Sequence, residues 1–102
     1  MFVTLWEFEV KPGCEDLFER AYGPNGEWVQ LFRRDDRYRG TRLLRQVGRE
    51  QVYVTMDEWD SREAYEEFRR KYAAEYTEID LKCGALTTTE KLIGEWWASS
   101  KT

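Results

Sequence analysis

An α+β fold of the ferredoxin-like class is predicted for this 102-residue chain, with a four-stranded antiparallel sheet whose helices lie on one face. Three observations predict it. Runs with strand-like alternation stand at both ends and in the middle, two stretches with apolar residues at three- and four-residue spacing lie between them, and Gly- and Pro-containing turns separate the pieces. The resulting order is βαββαβ. A chain of this length supports one core, so residues 1–98 are expected to form a single domain and residues 99–102 a frayed tail.

Phe2, Trp6, Phe8 and Val10 share one parity and Val3, Leu5, Glu7 and Glu9 the other, which predicts a strand over Phe2–Val10 with two partly apolar faces. Pro12 and Gly13 end it. Leu17, Phe18, Ala21 and Tyr22 then recur at helical spacing until Gly23-Pro24-Asn25-Gly26 interrupts, and Trp28, Leu31 and Phe32 share one side of a second helical piece. Arg37–Gly40 reads as a connector, Thr41–Val47 as a strand, Gly48-Arg49-Glu50 as a short turn and Gln51–Trp59 as the returning strand of a hairpin. Asp60 or Ser61 caps the next helix, and Glu63 is placed for a capping box if the cap is Asp60. Tyr65, Phe68, Tyr72, Tyr76 and Ile79 predict the buried stripe of one helix ending at Gly84, and Thr87–Trp97 is the last strand.

Composition excludes several functions. The net charge of −4 argues against nucleic acid as a partner, which needs a basic face for its phosphates. Arginines crowd between Arg33 and Arg49, and their expected role is a solvated connector and strand face. The chain contains no histidine, which removes Ser-His-Asp and Cys-His catalysis, the usual haem ligand and the commonest metal ligand. Cys14 and Cys83 are too few for a disulfide framework or a zinc site, and read as free thiols of a reducing compartment. MFVTLWEFEV is not a signal peptide, and no run approaches the ~18 apolar residues of a membrane span, so a soluble cytoplasmic protein is expected with no membrane partner.

Two helices cover one sheet face, yet both strand parities carry apolar residues, as in Leu43 and Leu44 or Ile93 and Trp97 against Leu92 and Trp96. A second copy of the chain packing sheet to sheet would cover the other face, which predicts a homodimer.

The candidate site lies in VYVTMDEWDSREAY, where a strand ends at Trp59 and a helix begins within two residues. Trp59 and Tyr65 fall where sheet meets helix, and an indole and a phenol make an apolar wall with two hydrogen-bonding tips. Closing the end of the core is the equal alternative for both. Tyr22, Trp28 and Phe32 are candidates for the opposite wall, with Trp6 and Tyr72 as further substrate contacts. Asp57 stands two residues before Trp59 and shares its side of the strand. It is either a desolvated general base or a carboxylate paired with an arginine such as Arg42 or Arg45.

With this order and these residues the chain resembles the antibiotic biosynthesis monooxygenase family of dimeric α+β barrels. The resemblance is carried by Thr55-Met56-Asp57-Glu58-Trp59-Asp60-Ser61 running into Ala64-Tyr65, and by Leu92-Ile93-Gly94-Glu95-Trp96. It implies a cofactor-independent monooxygenase, with neither metal nor cofactor, taking a small phenolic, quinonoid or polycyclic aromatic substrate and dioxygen. A phenol or enol that loses its proton becomes an electron-rich anion able to reduce dioxygen directly, so the protein supplies a dry aromatic pocket and hydrogen bonds to the substrate oxygens. By the same resemblance Trp59 and Tyr65 hold the substrate and orient its oxygen, and Thr55, standing where aromatic-oxidising members carry asparagine, assists; Asp57 is the candidate base from its place on the strand. The alternative is a non-catalytic dimeric module that binds a small ligand or serves in assembly.

Overall fold

A computed structural model describes residues 1–99. Strands β1 (Phe2–Val10), β2 (Tyr38–Arg45), β3 (Val52–Trp59) and β4 (Thr87–Trp97) form one antiparallel sheet in the order β2-β3-β1-β4. Helices α1 (Glu15–Tyr22) and α2 (Glu27–Phe32) lie between β1 and β2, and α3 (Arg62–Lys71) and α4 (Ala73–Cys83) between β3 and β4. The fold is the α+β ferredoxin-like one predicted from the sequence. Of the expected tail, residues 100–102 lie outside the described residues.

Two local expectations need correction, and two concerning helix ends are met. Strand β2 begins at Tyr38 and ends at Arg45, because Tyr38 pairs with Trp59 across a register shift at Gly40 and the amide of Gln46 bonds the Val52 carbonyl to close the turn. Val47, expected within the strand, is almost fully exposed. Of the two candidate caps for α3, Ser61 is the one used: its hydroxyl accepts the Ala64 amide at 3.1 Å, while Asp60 pairs with Arg39. The long helix after Ser61 is two helices, broken at Tyr72 (φ −108°, ψ 29°), which lets the Tyr72 ring pack on Phe68 while Tyr76 meets the edge of Trp28. Gly84 ends α4 as expected, in an ordinary right-handed conformation, and a short 3-10 turn (Gly84–Leu86) leads into β4.

The core is a continuous set of rings. Phe18 stacks on Tyr22 at 4.2 Å and tilts against Phe8 and Tyr53 at one end, and Phe68 packs on Trp59 at 4.9 Å at the other. Phe18, Trp59 and Phe68 are fully buried. The break between α1 and α2 requires its glycine: a Cβ on Gly26 would meet the Ala21 carbonyl oxygen at 2.2 Å.

The sheet's other face carries Leu5, Val54, Met56 and Leu44, and there the Trp96 indole lies across Gly94, where a Cβ would approach it to 2.7 Å. Leu44 and Trp96 remain 40% and 47% exposed, so this face holds an apolar patch open to water, beside Glu7, Arg42 and Glu58 of the same parity.

Phe68 lies against Phe32, Trp59 and Tyr72 with no exposure. Phe68→Ala is expected to cost about 3–5 kcal/mol, the range for removing a buried ring that leaves a cavity, read as a lower midpoint in equilibrium urea unfolding.

Candidate active site

The space between sheet and helices narrows to a cavity of about 30 Å³. That is room for roughly one or two waters. All four strands contribute to its floor: Thr41 from β2, Thr55 and Asp57 from β3, Trp6 and Phe8 from β1, and Glu90 from β4. Tyr22, Trp28 and Phe32 come from α1 and α2, and Tyr76 and Asp80 from α4. The strand residues share the helix-facing side because the register pairs Trp6 with Thr55, Phe8 with Glu90, and Asp57 with Thr41. Asp80 and Glu90 are exposed and form the mouth, whereas Thr55 and Asp57 are 4% and 8% exposed and lie deep.

Asp57 is the chemically distinctive group. The Thr41 hydroxyl donates to its Oδ1 at 2.6 Å, and the Tyr38 phenol lies 2.5 Å from the same Thr41 oxygen. With Thr41 donating to the carboxylate, Tyr38 donates to Thr41, giving a chain Tyr38–Thr41–Asp57. The expected arginine pairing is not formed. Arg42 pairs with Met56 in register and so projects from the opposite face, and Arg45 donates to the Glu50 carbonyl and lies 5.2 Å from the Tyr53 ring. Burial therefore dominates and pushes the Asp57 carboxyl up to about 6, with the Thr41 hydrogen bond pulling the other way.

The neighbouring phenols are held neutral. Burial raises Tyr22 and Tyr76 well above the ordinary tyrosine value, with nearby acidic groups adding to the effect. They can donate hydrogen bonds but do not serve as bases near neutral pH, which leaves Asp57 as the deep proton acceptor. The indole N–H of Trp28 makes no hydrogen bond of good geometry among the described residues; Tyr22 and Cys83 are its polar neighbours.

Of the site residues predicted from sequence, Trp6, Tyr22, Trp28, Phe32, Thr55 and Asp57 line the cavity. Trp59, Tyr65 and Tyr72 stand outside its lining. Trp59 is fully buried, with its ring 5.7 Å from Phe32, and its indole N–H has no partner among the described residues. The Tyr65 hydroxyl accepts from Arg69 at 2.8 Å, and the Arg69 guanidinium lies 4.0 Å from the centre of the Tyr76 ring. Both residues thus reach the cavity through a neighbour. Tyr72 packs on Phe68 beside Arg34 and Lys71.

Sequence reasoning missed Phe8, Thr41, Tyr76, Asp80 and Glu90 as lining residues. Phe8 and Tyr76 belong to the apolar patterns of their elements, and Asp80 follows Tyr76 by one helical turn and so shares its face. Thr41 carried no signal, since its role depends on lying across the hairpin from Asp57.

A sequence profile described as antibiotic biosynthesis monooxygenase matches residues 1–76. No curated protein matches the chain by sequence. Among solved structures, the chain is similar to SnoaB, a cofactor-independent oxygenase from Streptomyces nogalater, with TM-score 0.78 and 19% identity over 98% of this chain and 94% of that one. It is similar also to a NIPSNAP domain protein from Burkholderia xenovorans, with TM-score 0.73 and 14% identity over 100% and 98% of the two chains. At these identities the structural likenesses show a shared fold.

A buried carboxylate held at about 6 makes a pH-dependent contribution to stability. Because its value in the folded protein lies above that in the unfolded chain, stability from this group is present below the ordinary aspartate range and lost as pH rises through about 6. Asp57→Asn removes this loss. The variant is expected to be more stable than the parent at pH 8 by roughly 1–3 kcal/mol, a gain that shrinks toward pH 4, measured by urea unfolding across that range.

Proposed function

The chain belongs to the antibiotic biosynthesis monooxygenase family, and on that premise we propose that it is a cofactor-independent monooxygenase acting on a small phenolic or quinonoid aromatic substrate. The observation that carries this reading is the deep carboxylate of Asp57, raised to about 6, with one hydroxyl as its hydrogen-bond partner and aromatic walls around it. Such a group is ionised at neutral pH yet keen to take a proton, as a general base requires.

In this reading Asp57 removes the proton from a phenolic or enolic hydroxyl, and the Thr55 hydroxyl steadies the resulting oxyanion. The substrate anion reduces dioxygen and forms a carbon–oxygen bond to it. The peroxide so formed breaks its O–O bond, leaving one oxygen on the product as a carbonyl and releasing the other as water with two protons of substrate origin. All oxidising equivalents come from dioxygen. Trp59 and Tyr65 act as positioning residues, Trp59 by backing Phe32 and Tyr65 by holding Arg69 against Tyr76.

A phenol ring needs more than about 30 Å³, so substrate entry must displace part of the wall. Helix α4, which carries Tyr76 and Asp80, is the part suited to move: Cys83 is its one buried residue, Tyr76 and Ile79 are half-buried against the core, and the backbone is already broken from α3 at Tyr72. Opening it gives up the core contacts of Tyr76 and Ile79 but unseats only one buried side chain of its own.

The homodimer belongs to the same proposal. Leu5, Leu44, Val54, Met56 and Trp96 form an apolar patch on the outer sheet face, and a second copy would cover it. Two free thiols suit a reducing, cytoplasmic setting. The narrowness of the cavity favours one second reading, a non-catalytic dimeric ligand-binding or assembly module.

Oxygen uptake separates the two. With hydroxylated anthrones or hydroquinones, protein-dependent uptake is expected to rise with pH through an apparent pKa near 6, to fall about 100-fold in Asp57→Asn, and to fall less in Tyr65→Phe. Uptake unchanged in Asp57→Asn would remove the base, and no uptake above the protein-free rate with any substrate would favour the module. For the dimer, light scattering after gel filtration is expected to give twice the 12.3 kDa chain mass and to return one chain mass for Leu44→Glu combined with Met56→Glu. One chain mass for the parent protein would sink it.

A further inference from the structure

The charge of the cavity is one-sided. Its lining carries Asp57 at the floor and Asp80 and Glu90 at the mouth, and no lysine or arginine among the described residues. Neither Asp80 nor Glu90 enters a salt bridge among the described residues. Burial raises the Glu90 carboxyl, and the Asp80 charge raises it further, so the two mouth groups repel one another. Arg69, outside the lining, offsets part of the Asp80 charge. Between mouth and floor the walls are indole, phenol and phenyl groups. Ring faces attract cations through their quadrupole and carboxylates attract them by charge, so both components of this lining favour the same ligand sign. The Arg69 guanidinium already stands 4.0 Å from the centre of the Tyr76 ring, so the cation attraction of the wall rests on its other rings. A metal ion does not fit the donors: no group of three metal-ligating acidic or thiol side chains converges among the described residues. An organic ammonium group, bound by rings and flanked by carboxylates, does.

We propose that the cavity selects a phenol or enol bearing a protonated amine, whose ammonium group sits at the mouth with Asp80 and Glu90 while its hydroxyl reaches inward to Asp57 and Thr55. This rests on the cavity being the substrate site, and it narrows the substrate class to cationic aromatics. An anionic substrate meets three carboxyl groups on its way in, and a neutral one gains only the rings. The same arrangement makes recognition sensitive to salt, because the mouth is exposed and its attraction is screened.

Binding rather than turnover tests it, with three phenols of matched size: tyramine, 4-ethylphenol and 3-(4-hydroxyphenyl)propionate, titrated calorimetrically into the parent protein and into Asp80→Asn combined with Glu90→Gln. Both mouth residues are exposed, so the double variant is expected to fold, and its thermal midpoint checks this. The expected result is an affinity order tyramine, then 4-ethylphenol, then the propionate, with about tenfold between the first and the last. That span should shrink to about twofold in the double variant and also contract in high salt. Equal affinities for all three would overturn the cationic preference while leaving the cavity as a phenol site. An order that persists in the double variant would overturn the role of Asp80 and Glu90. Failure of all three to bind would overturn this proposal together with the assignment of the cavity on which it rests.

Discussion

Phe32 is the contact on which both the core and the cavity depend. Its ring meets Trp28 at 5.9 Å, Tyr38 at 5.4 Å, Trp59 at 5.7 Å and Phe68 at 5.5 Å, so one side chain joins the first helical region to the hairpin and to the second. The same ring is a wall of the cavity. Ring pairs of this kind add ~0.5–1.5 kcal/mol beyond the area they bury, and four meeting at one residue make its position stiff. The sheet floor is rigid for a related reason: β1 is hydrogen-bonded on both sides, to β3 and to β4. The cavity therefore has a firm floor and a firm wall, with its looser boundary on α4.

Against that apolar frame, Asp57 is an expensive residue to keep. Its carboxyl is buried with a single hydroxyl donor, and no cation among the described residues compensates it. A structural carboxylate at that depth would be expected to hold an arginine, and arginines stand close by in the sequence at Arg42 and Arg45. The register sends Arg42 to the other face, and Arg45 is engaged elsewhere. Unpaired burial at a cavity floor is the pattern in which stability is sacrificed for reactivity. The Tyr38–Thr41 chain moderates the cost without abolishing it, because two neutral hydroxyls stabilise a carboxylate less than a charged donor does.

Trp59 and Tyr65 show how an aromatic signal at a strand–helix junction can be read correctly as to place and yet differ in contact. Both lie where sheet meets helix. Trp59 turns into the ring cluster with Tyr38, Phe32 and Phe68, and Tyr65 turns toward Phe2 and Arg69. Their link to the cavity is transmitted through Phe32 and through the Arg69–Tyr76 contact.

The sequence by itself determined the element order, the limits of β1 and β4, the break at Gly23–Gly26, and the apolar character of both sheet faces. These follow from local periodicity and turn chemistry, which depend on near neighbours. It also determined the family, through a short run of residues along one strand and into one helix. The partners of each side chain were decided only by tertiary structure. Thr41 is matched to Asp57 by hairpin register, and shifting the register by one residue would have presented Arg42 in its place. The helix after Ser61 carries an unbroken apolar stripe, yet it breaks at Tyr72 so that Phe68 faces the core and Tyr76 faces Trp28, a demand set by packing against α2. The raised Asp57 carboxyl and the acidic mouth likewise exist because residues from four strands and three helices converge, and no single stretch of the chain records that convergence.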